Sequence, residues 1–338
     1  MKDLILDVKK LNIGFRSDGK PIRIVKDVSL QVERGSVLVL VGESGCGKSI
    51  TVNAMINLAP PGAEVHSEHV LFRSTHHGAL EEHRLDKLEP FGKKMRSLRG
   101  SEIGMIFQNP MSALSPVYSA GAQVVECIRE HKNVSKKEAW DQAVALIKKL
   151  GIPDAENRAR DYPHQFSGGM KQRIVIAAAI ACNPDLIVAD EPTTALDVTI
   201  QAQIMDLLRS LREERHMTII LITHNMGLAA EMADAVAVMY MGRIVEYGTA
   251  QEIFDHPLHP YTSALLRSVP VFGMDQEGEL ETIPGSTPNP ADLGVGCEFA
   301  SRCPACKAEC LAADIREYEF RPGHTVRCCK YSGCREVQ

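Results

Sequence analysis

The hydrophobic and polar positions along the chain follow two periods, and each predicts a different kind of element. Short runs of branched apolar residues at 37–41, 186–189 and 219–223 predict strands that are buried on both faces. Apolar residues at helical spacing within 135–150 and 200–211 predict amphipathic helices. The first of these helices should begin with a capping box between Ser135 and Glu138 and end at Gly151. This mixture of buried strands and helices predicts an α/β fold built around a parallel sheet.

The segments outside this α/β centre show other patterns. Alternation of apolar and polar residues between 2 and 41 predicts an antiparallel β layer that leads into the strand at 37–41. Residues 60–103 are polar and carry five histidines, but none is spaced as a metal-binding pair on a helix, so we expect a solvated insert with some β structure. Residues 253–296 contain six prolines and no sustained period, which predicts an extended linker.

Length, charge and apolar runs indicate how many domains to expect and which classes of protein to exclude. The chain has 338 residues, so we expect one large core domain and a smaller appendage. A net charge of −5 argues against nucleic-acid binding. The longest apolar run, 174–182, is far shorter than the ~20 residues that cross a bilayer, and the charged N-terminus lacks the apolar core of a secretory signal. We therefore expect a cytosolic protein that reaches a membrane through a partner.

The strand at 37–41 is followed at once by GESGCGKS, residues 42–49, which fits the phosphate-binding pattern G-x-x-x-x-G-K-[ST]. In this strand–loop–helix context, backbone N–H groups would converge on phosphate oxygens, Lys48 would reach the β and γ phosphates, and Ser49 would hold Mg²⁺. The alternative is a glycine-rich turn that merely opens a helix. Cys46 fits the loop as a small residue, and a reactive thiol is the other interpretation.

Polar residues follow the other buried strands. Asp190 and Glu191 come after one strand and His224 after another, so a parallel sheet would place all three at its carboxyl edge, where ligands bind. One carboxylate there can hold Mg²⁺, its neighbour can accept a proton from water, and an imidazole can donate to a phosphate oxygen. The alternatives are a solvated acidic pair and a structural histidine. Ser167 to Gly169 open a helix and offer free N–H groups to a second anion.

The chain contains ten cysteines, and seven of them lie close together near the C-terminus. These seven are Cys297, Cys303, Cys306, Cys310, Cys328, Cys329 and Cys334. In a cytosolic chain, such a cluster indicates metal binding before disulfide bonding.

Six motifs, in this order and spacing, closely resemble those of the ATPase subunits of ATP-binding cassette (ABC) transporters. They are GESGCGKS at 42–49, Gln108, FSGGMKQR at 166–173, LIVADE at 186–191, TALD at 194–197 and His224. The resemblance covers roughly residues 3–258. It implies a P-loop ATPase core, an antiparallel β subdomain and an α-helical signature subdomain within residues 1–258, followed by a small cysteine-rich extension at 259–338.

The resemblance also assigns roles to individual residues. It implies that Phe15 stacks on adenine and that ATP is bound by Gly42, Glu43, Ser44, Gly45, Cys46, Gly47, Lys48, Ser49, Ile50 and Asp190. It implies catalytic roles for Glu191, His224 and Gln108, and Mg²⁺ binding through Ser49, Gln108 and Asp190. The residues that would contact the ATP of a second subunit are Ser167, Gly168, Gly169 and Met170. Asp197 would belong to the D-loop.

A narrower resemblance points to the dipeptide, oligopeptide and nickel importer branch. It is carried by MIFQNPMSALSPV at 105–117, HPLHPYTSALLRSVP at 256–270 and GCEFASRCPACKAEC at 296–310. Several members of that branch hold a [4Fe–4S] cluster in the C-terminal extension, and the matching ligands here would be Cys297, Cys303, Cys310 and Cys328. Cys306, Cys329 and Cys334 are additional, so zinc binding and reduced or disulfide-bonded cysteines stay open as alternatives.

The resemblance therefore implies the ATP-hydrolysing subunit of an importer for peptides or a related solute such as a nickel complex. Its partners would be a related second ATPase subunit in a heterodimer, two transmembrane permease subunits and an extracytoplasmic solute-binding protein, and it would lie at the cytoplasmic face of the inner membrane. One rival is a soluble cassette ATPase of ribosomes or DNA repair, which usually carries two cassettes or a long coiled coil. Another is a regulatory subunit with a metal-sensing tail, against which Glu191 and His224 argue.

Overall fold

A computed structural model describes residues 3–17, 20–76, 78–194, 196–268, 283–312 and 314–337. The strands are β1 Leu4–Ser17, β2 Lys20–Glu33, β3 Val37–Val41, β4 Glu64–His66, β5 His69–Ser74, β6 Glu81–Arg84, β7 Ile103–Ile106, β8 Leu186–Asp190, β9 Thr218–Thr223, β10 Ala235–Tyr240, β11 Arg243–Thr249, β12 Tyr318–Arg321, β13 His324–Val326 and β14 Arg335–Glu336. The helices are α1 Lys48–Met55, α2 Lys93–Ser101, α3 Pro110–Ala113, α4 Ala120–His131, α5 Lys136–Lys149, α6 Ala155–Arg158, α7 Gly168–Ile180, α8 Val198–Arg215, α9 Met226–Met232, α10 Ala250–Asp255, α11 Pro260–Arg267 and α12 Glu309–Ala312.

The chain divides into two compact units. Unit 1 comprises residues 1–6, 32–36 and 71–222, and unit 2 comprises residues 7–31, 37–70 and 223–338. The predicted domain boundary between residues 258 and 259 is not tested by this division and stays a prediction.

Unit 1 contains the parallel strands that the buried apolar runs predict. Strand β8 lies between β7 and β9, with Ile103 opposite Leu186 and Leu186 opposite Thr218. Every residue of β8 and β9 is buried, as expected for strands covered on both faces. Helices α4, α5 and α7 pack on one another and form the helical part of this unit.

Helix α5 begins and ends where its sequence signals predict. The Ser135 hydroxyl accepts a hydrogen bond from the N–H of Glu138, whose carboxylate accepts one from the N–H of Ser135. At the other end, Gly151 has a φ of 76°, a left-handed conformation that favours glycine. The predicted capping box and stop are therefore confirmed.

Unit 2 contains a mixed sheet. Strand β3 pairs in parallel with β10, and β10 pairs antiparallel with β11. Strand β13 then pairs antiparallel with β11, and β12 pairs antiparallel with β13 and with β14. The C-terminal extension thus continues the sheet that contains the strand before the phosphate-binding loop, which the sequence patterns did not predict.

The N-terminal part forms the expected β layer. Strands β1 and β2 are neighbours in one sheet, β4 pairs antiparallel with β1, and β5 pairs antiparallel with β6. Residues 18 and 19 of the predicted turn lie outside the described residues. The insert at 60–103 contains β4, β5 and β6 as predicted, and also helix α2, which its irregular pattern did not predict.

The predicted extended linker at 253–296 is wrong for its first part, which forms the end of α10 and all of α11. Helix α10 has a capping box between Thr249 and Glu252, and Pro260 occupies the first turn of α11, where its missing N–H costs no hydrogen bond. Pro260, one of the six prolines interpreted as linker signals, therefore lies at the start of a helix. Residues 269–282 lie outside the described part of the chain.

Candidate functional site

The phosphate-binding loop between β3 and α1 depends on its glycines. A Cβ atom on Gly42 would lie 2.2 Å from the carbonyl oxygen of Met239, so no side chain fits there. Gly45 and Gly47 have φ values of 78° and 104°, in the left-handed region that favours glycine. The backbone can therefore follow a path that residues with a Cβ atom could not adopt without strain.

Lys48 is anchored inside this loop. Its side chain is buried, and its ammonium donates hydrogen bonds to the carbonyl oxygens of Gly42, at 2.8 Å, and Glu43, at 3.0 Å. Ser49 follows in the first turn of α1, where the helix dipole places positive charge. An oriented ammonium beside a helix N-terminus can bind an anion such as phosphate.

Three other residues that are predicted to contact the nucleotide lie in unit 2. Cys46 is buried, and burial raises the pKa of its thiol although Lys48 lowers it, which disfavours the interpretation as a reactive nucleophile. Phe15 lies near the end of β1 and is half-buried, and its stacking on a flat ring stays a prediction. His224 is exposed just after β9 and precedes Asn225, which caps α9.

The structure brings Gln108 and Glu191 of unit 1 together. The Gln108 amide donates to Oε2 of Glu191 at 2.8 Å, and the Thr194 hydroxyl donates to the same oxygen at 2.9 Å. The N–H of Glu191 also donates to the carbonyl oxygen of Ile222 at 3.0 Å. The carboxylate of Glu191 is thus held in one orientation. Sequence reasoning missed the part played by Thr194, although a hydroxyl three residues after the carboxylate was a usable signal.

The backbone around Glu191 is also unusual. Glu191 has a φ of 43°, which a residue with a side chain adopts only at a cost of about 1–3 kcal/mol. Asp190, immediately before it, is the last residue of β8 and is buried. Two adjacent carboxylates, of which Asp190 is buried and Glu191 half-buried, therefore lie at the carboxyl end of a parallel strand.

The signature residues Ser167 to Met170 form the start of α7. The Ser167 hydroxyl caps the helix by accepting a hydrogen bond from the N–H of Met170 at 3.4 Å. Asp197 caps α8 in the same way, because its Oδ1 accepts from the N–H of Ile200 at 3.0 Å. Gly168 is exposed, so the N-terminal end of α7 is open to solvent, as an anion-binding helix end requires.

Gly169 is required by packing. A Cβ atom there would lie 2.7 Å from Cγ2 of Ile200, whereas a Cβ atom on Gly168 would lie 3.4 Å from Cδ2 of Leu196. Ile200 therefore connects the signature motif with the D-loop, because its side chain packs at Gly169 and its N–H donates to Asp197. Sequence reasoning placed Ile200 on an apolar helix face and missed this second role.

We expect Gly169→Ala to lower the melting temperature of the protein although alanine is the better helix former. The added methyl group must push against Ile200, and overpacking of this kind costs about 1–3 kcal/mol. Gly168→Ala is the matched control and should not lower the melting temperature. Thermal unfolding of both variants, and of Gly169→Ala combined with Ile200→Ala to restore space, checks the prediction. Equal melting temperatures for Gly168→Ala and Gly169→Ala would contradict it.

The seven C-terminal cysteines are free thiols. Sγ of Cys310 lies 3.0 Å from Sγ of Cys329. Burial, the Glu298 carboxylate and the neighbouring Cys328 and Cys310 raise the pKa of the Cys297 thiol to about 12. Burial, Cys328 and Cys310 likewise raise the pKa of Cys303. The four predicted cluster ligands thus lie close enough to influence one another, and Cys329 lies among them.

Within the described ranges, however, no group of three or more His, Cys, Asp or Glu side chains is arranged to hold a metal ion. The predicted cysteine site is therefore a neighbourhood of thiols and not a formed coordination sphere. The histidines of the insert give no metal site either, within the same limits; His77 is not described.

No helix formed by the residues in the described ranges is both long and apolar enough to cross a membrane.

Comparisons with known proteins agree with the geometry. Residues 25–194 match the family model described as ABC transporter, and residues 245–310 match the C-terminal region of oligopeptide/dipeptide transporters. The dipeptide transport ATP-binding protein DppD of Bacillus subtilis is 43% identical over 326 residues, which cover 96% of this chain and 94% of that protein. The oligopeptide transport ATP-binding protein OppD of the same organism is 46% identical over 300 residues, which cover 88% and 81% of the two chains.

A solved structure shows the same fold. It is an ATP-binding cassette in a dimeric, post-hydrolysis state bound to ADP and Pi, with a TM-score of 0.60 and 26% identity, and the match covers 72% of this chain and 98% of that one. The predicted P-loop core, antiparallel β layer and helical part are thereby confirmed as those of a cassette. The chain belongs to the ABC transporter family, as an ATP-hydrolysing subunit of its oligopeptide/dipeptide transporter branch.

Proposed function

We propose that this chain hydrolyses ATP to power the import of peptides through a membrane complex. The observation that carries the proposal is the Glu191 carboxylate, which Gln108 and Thr194 hold in one orientation in a chain whose relatives are named dipeptide and oligopeptide transport proteins. A scaffold subunit that only binds ATP has no need of an oriented carboxylate.

The residues of the loop at 42–49 fit the triphosphate of ATP. The Gly42 position leaves no room for a side chain, and the Lys48 ammonium is already held by loop carbonyls. We assign phosphate binding to this loop, adenine stacking to Phe15, and Mg²⁺ binding to Ser49, Gln108 and Asp190. Bound Mg²⁺ would neutralise charge on the phosphates. Mg²⁺ prefers oxygen ligands, and each of these three side chains carries an oxygen atom that could bind it.

Glu191 then acts as the group that accepts a proton from the attacking water. Gln108 donates to its Oε2 and so keeps the carboxylate from turning away, while His224 donates to the γ-phosphate. The signature residues Ser167 to Met170 would contact the ATP that a second, related subunit binds. Two features support this assignment. Ser167 fixes where α7 begins, and Gly168 at that helix end is exposed to solvent.

The segment after Gln108 supports docking on the permease subunits. Met111, Val117 and Tyr118 are apolar residues that are 63%, 70% and 59% exposed. Exposed apolar residues close together in sequence are typical of protein interaction sites. We propose that they contact two transmembrane permeases, which hold the chain at the cytoplasmic face of the inner membrane and receive peptide from an extracytoplasmic binding protein.

Transport in a reconstituted system tests this function. The chain, its ATPase partner and the permeases should be assembled in vesicles with the binding protein inside and ATP outside, since the outside then represents the cytoplasm. We expect ATP-dependent movement of a labelled dipeptide or oligopeptide out of the vesicles, coupled to phosphate release. A nickel complex should be offered in parallel, and transport of nickel without transport of any peptide would reject the peptide assignment.

We further propose a [4Fe–4S] cluster in the C-terminal extension, held by Cys297, Cys303, Cys310 and Cys328. The residue types fit, because such clusters are held by cysteine thiolates and these four cysteines match the ligand positions of the branch. The contact between Cys310 and Cys329 makes Cys329 a competing ligand. A bound cluster would fasten the extension around these side chains.

Iron content tests this assignment. Protein purified without oxygen should contain about four iron and about four sulfide per chain. Cys297→Ser and Cys303→Ser should lower both contents, because each removes a thiolate ligand. Cys334→Ser is the control and should leave iron near the wild-type content. Cys306 and Cys329 are poor controls because the side chain of each interacts with that of Cys310. One zinc and no iron per chain would reject the cluster.

A further inference from the structure

One short segment of the C-terminal extension, residues 297–303, is packed into unit 2. It begins and ends at two of the proposed cluster ligands, Cys297 and Cys303, and four of its residues, Glu298, Phe299, Ala300 and Arg302, are buried. Phe299 packs against the rings of Tyr240 and Tyr261, with ring centroids 5.2 and 5.4 Å away. We call residues 297–303 the docking segment.

Arg302 of the docking segment forms an ion pair with the phosphate-binding loop. Its Nη1 donates to Oε2 of Glu43 at 2.6 Å and its Nη2 donates to Oε1 at 3.0 Å, which is the two-pronged arrangement of a strong guanidinium–carboxylate pair. Its Nε donates to the carbonyl oxygen of Pro284 at 2.9 Å. The Arg302 side chain is 5% exposed and that of Glu43 is 25% exposed, so this ion pair is partly shielded from water and from salt.

Glu43 is tied to its surroundings through three different groups. Its carboxylate binds Arg302, its N–H donates to the hydroxyl oxygen of Tyr261 at 2.8 Å, and its carbonyl oxygen accepts from the Lys48 ammonium at 3.0 Å. The second partner, Tyr261, lies in α11 and contacts Phe299 of the docking segment. A single loop residue thus connects the C-terminal extension to the lysine that we assign to the phosphates.

The docking segment has a separate anchor that does not involve the loop. Glu298 accepts from Nε of Arg243 at 2.7 Å and pairs with the ammonium of Lys26 at 3.3 Å. Phe299 adds an apolar contact that needs no charge. These contacts can keep the segment in place when Arg302 is changed, so the contribution of Arg302 to the loop can be measured by itself.

We propose that Arg302 is a positioning residue for the phosphate-binding loop, which it holds through Glu43, so that the C-terminal extension sets the affinity of the chain for ATP. The inference rests on the proposed assignment of residues 42–49 to ATP. The Glu43 carboxylate binds Arg302 of the extension, and the Glu43 carbonyl oxygen accepts a hydrogen bond from Lys48. Without the contact to Arg302, the loop can adopt other conformations that bind phosphate less well.

The test is ATP binding by the full-length chain, measured by calorimetry with a non-hydrolysable ATP analogue and Mg²⁺. We expect Arg302→Met to weaken binding about tenfold, within the 5- to 150-fold range of typical coupling between sites. Arg302→Lys keeps the charge but cannot form the two-pronged pair, so its effect should be intermediate. Arg316→Met is the matched control, because Arg316 lies in the same extension and pairs with Glu336 at the surface; its affinity should be unchanged.

A double-mutant cycle identifies the partner. Glu43→Gln should weaken binding as Arg302→Met does, and the combined variant should be little worse than either alone, because both changes break the same contact. In the assembled transporter, Arg302→Met should raise KM for ATP and leave kcat nearly unchanged, whereas partial unfolding would lower kcat at constant KM. If Arg302→Met does not fold, Arg302→Lys and Glu43→Gln give the same comparison.

The outcomes separate the inference from the function on which it rests. Unchanged affinity in folded Arg302→Met, or in both Arg302→Lys and Glu43→Gln, overturns the positioning role. Fully additive effects in the cycle overturn it as well. Unchanged affinity in Lys48→Met shows instead that residues 42–49 do not bind ATP, whatever Arg302 does. Loss of affinity in Lys48→Met together with wild-type affinity in Arg302→Met leaves the ATP site intact and rejects only the inference.

Discussion

Glu191→Gln should lower ATP turnover of the assembled transporter by about 10²- to 10⁴-fold, the contribution usual for a positioned general base. The amide keeps the size of the carboxylate and can still meet Gln108 and Thr194, but it cannot accept a proton from water. Phosphate contacts made by the loop at 42–49 are not touched by the change. We therefore expect ATP to stay bound, with the two ATPase subunits held together around it.

The measurement combines phosphate release with retention of labelled ATP after rapid filtration. Glu214→Gln is the matched control, since Glu214 is an exposed glutamate in α8 that pairs with Lys149. Its loss should change turnover by no more than about twofold, because a surface ion pair contributes little. Turnover near the wild-type rate in Glu191→Gln would show that another group activates the water.

Elements with a local signal could be predicted from the sequence. Strand β8 is a fully buried apolar run, and α5 carries a capping box at Ser135 and a glycine stop at Gly151, so both are defined by residues within or beside them. The same holds for the loop at 42–49, where glycine spacing reflects φ values that other residues avoid. In each case the physical cause lies within a few residues of its effect.

The contacts of the C-terminal extension could not be predicted in this way. Arg302 and Glu43 are 259 positions apart, and each is a charged residue of the kind that usually lies in solvent. Strand β13 is only three residues long and owes its place to pairing with β11. No nucleotide motif lies beyond His224, so nothing in the sequence indicated that the extension contacts the phosphate-binding loop. The Arg302 to Glu43 ion pair is such a contact.

Lys48→Met should weaken ATP binding about 10- to 150-fold, which corresponds to the ~1.5–3 kcal/mol of a hydrogen bond to a charged group. Methionine has a similar length and keeps the buried stem packed, so the main loss is the positive charge. The two loop carbonyls of Gly42 and Glu43 would also lose their donor, which loosens the loop that the glycines shape. Both effects act in the same direction on affinity.

A matched control tests whether the loss of ATP affinity is specific to Lys48 or follows the removal of any partly buried lysine. Lys132→Met removes an ammonium that donates to the carbonyl oxygen of Ala181 at 3.0 Å, far along the chain from the loop, and should bind ATP as the wild type does. Calorimetry with an ATP analogue and with ADP distinguishes the phosphates involved. Since the Lys48 ammonium is assigned to the β and γ phosphates, the loss should be larger for the triphosphate than for ADP. Equal losses for both nucleotides would place the ammonium nearer the β-phosphate alone, and no loss for either would remove Lys48 from the site.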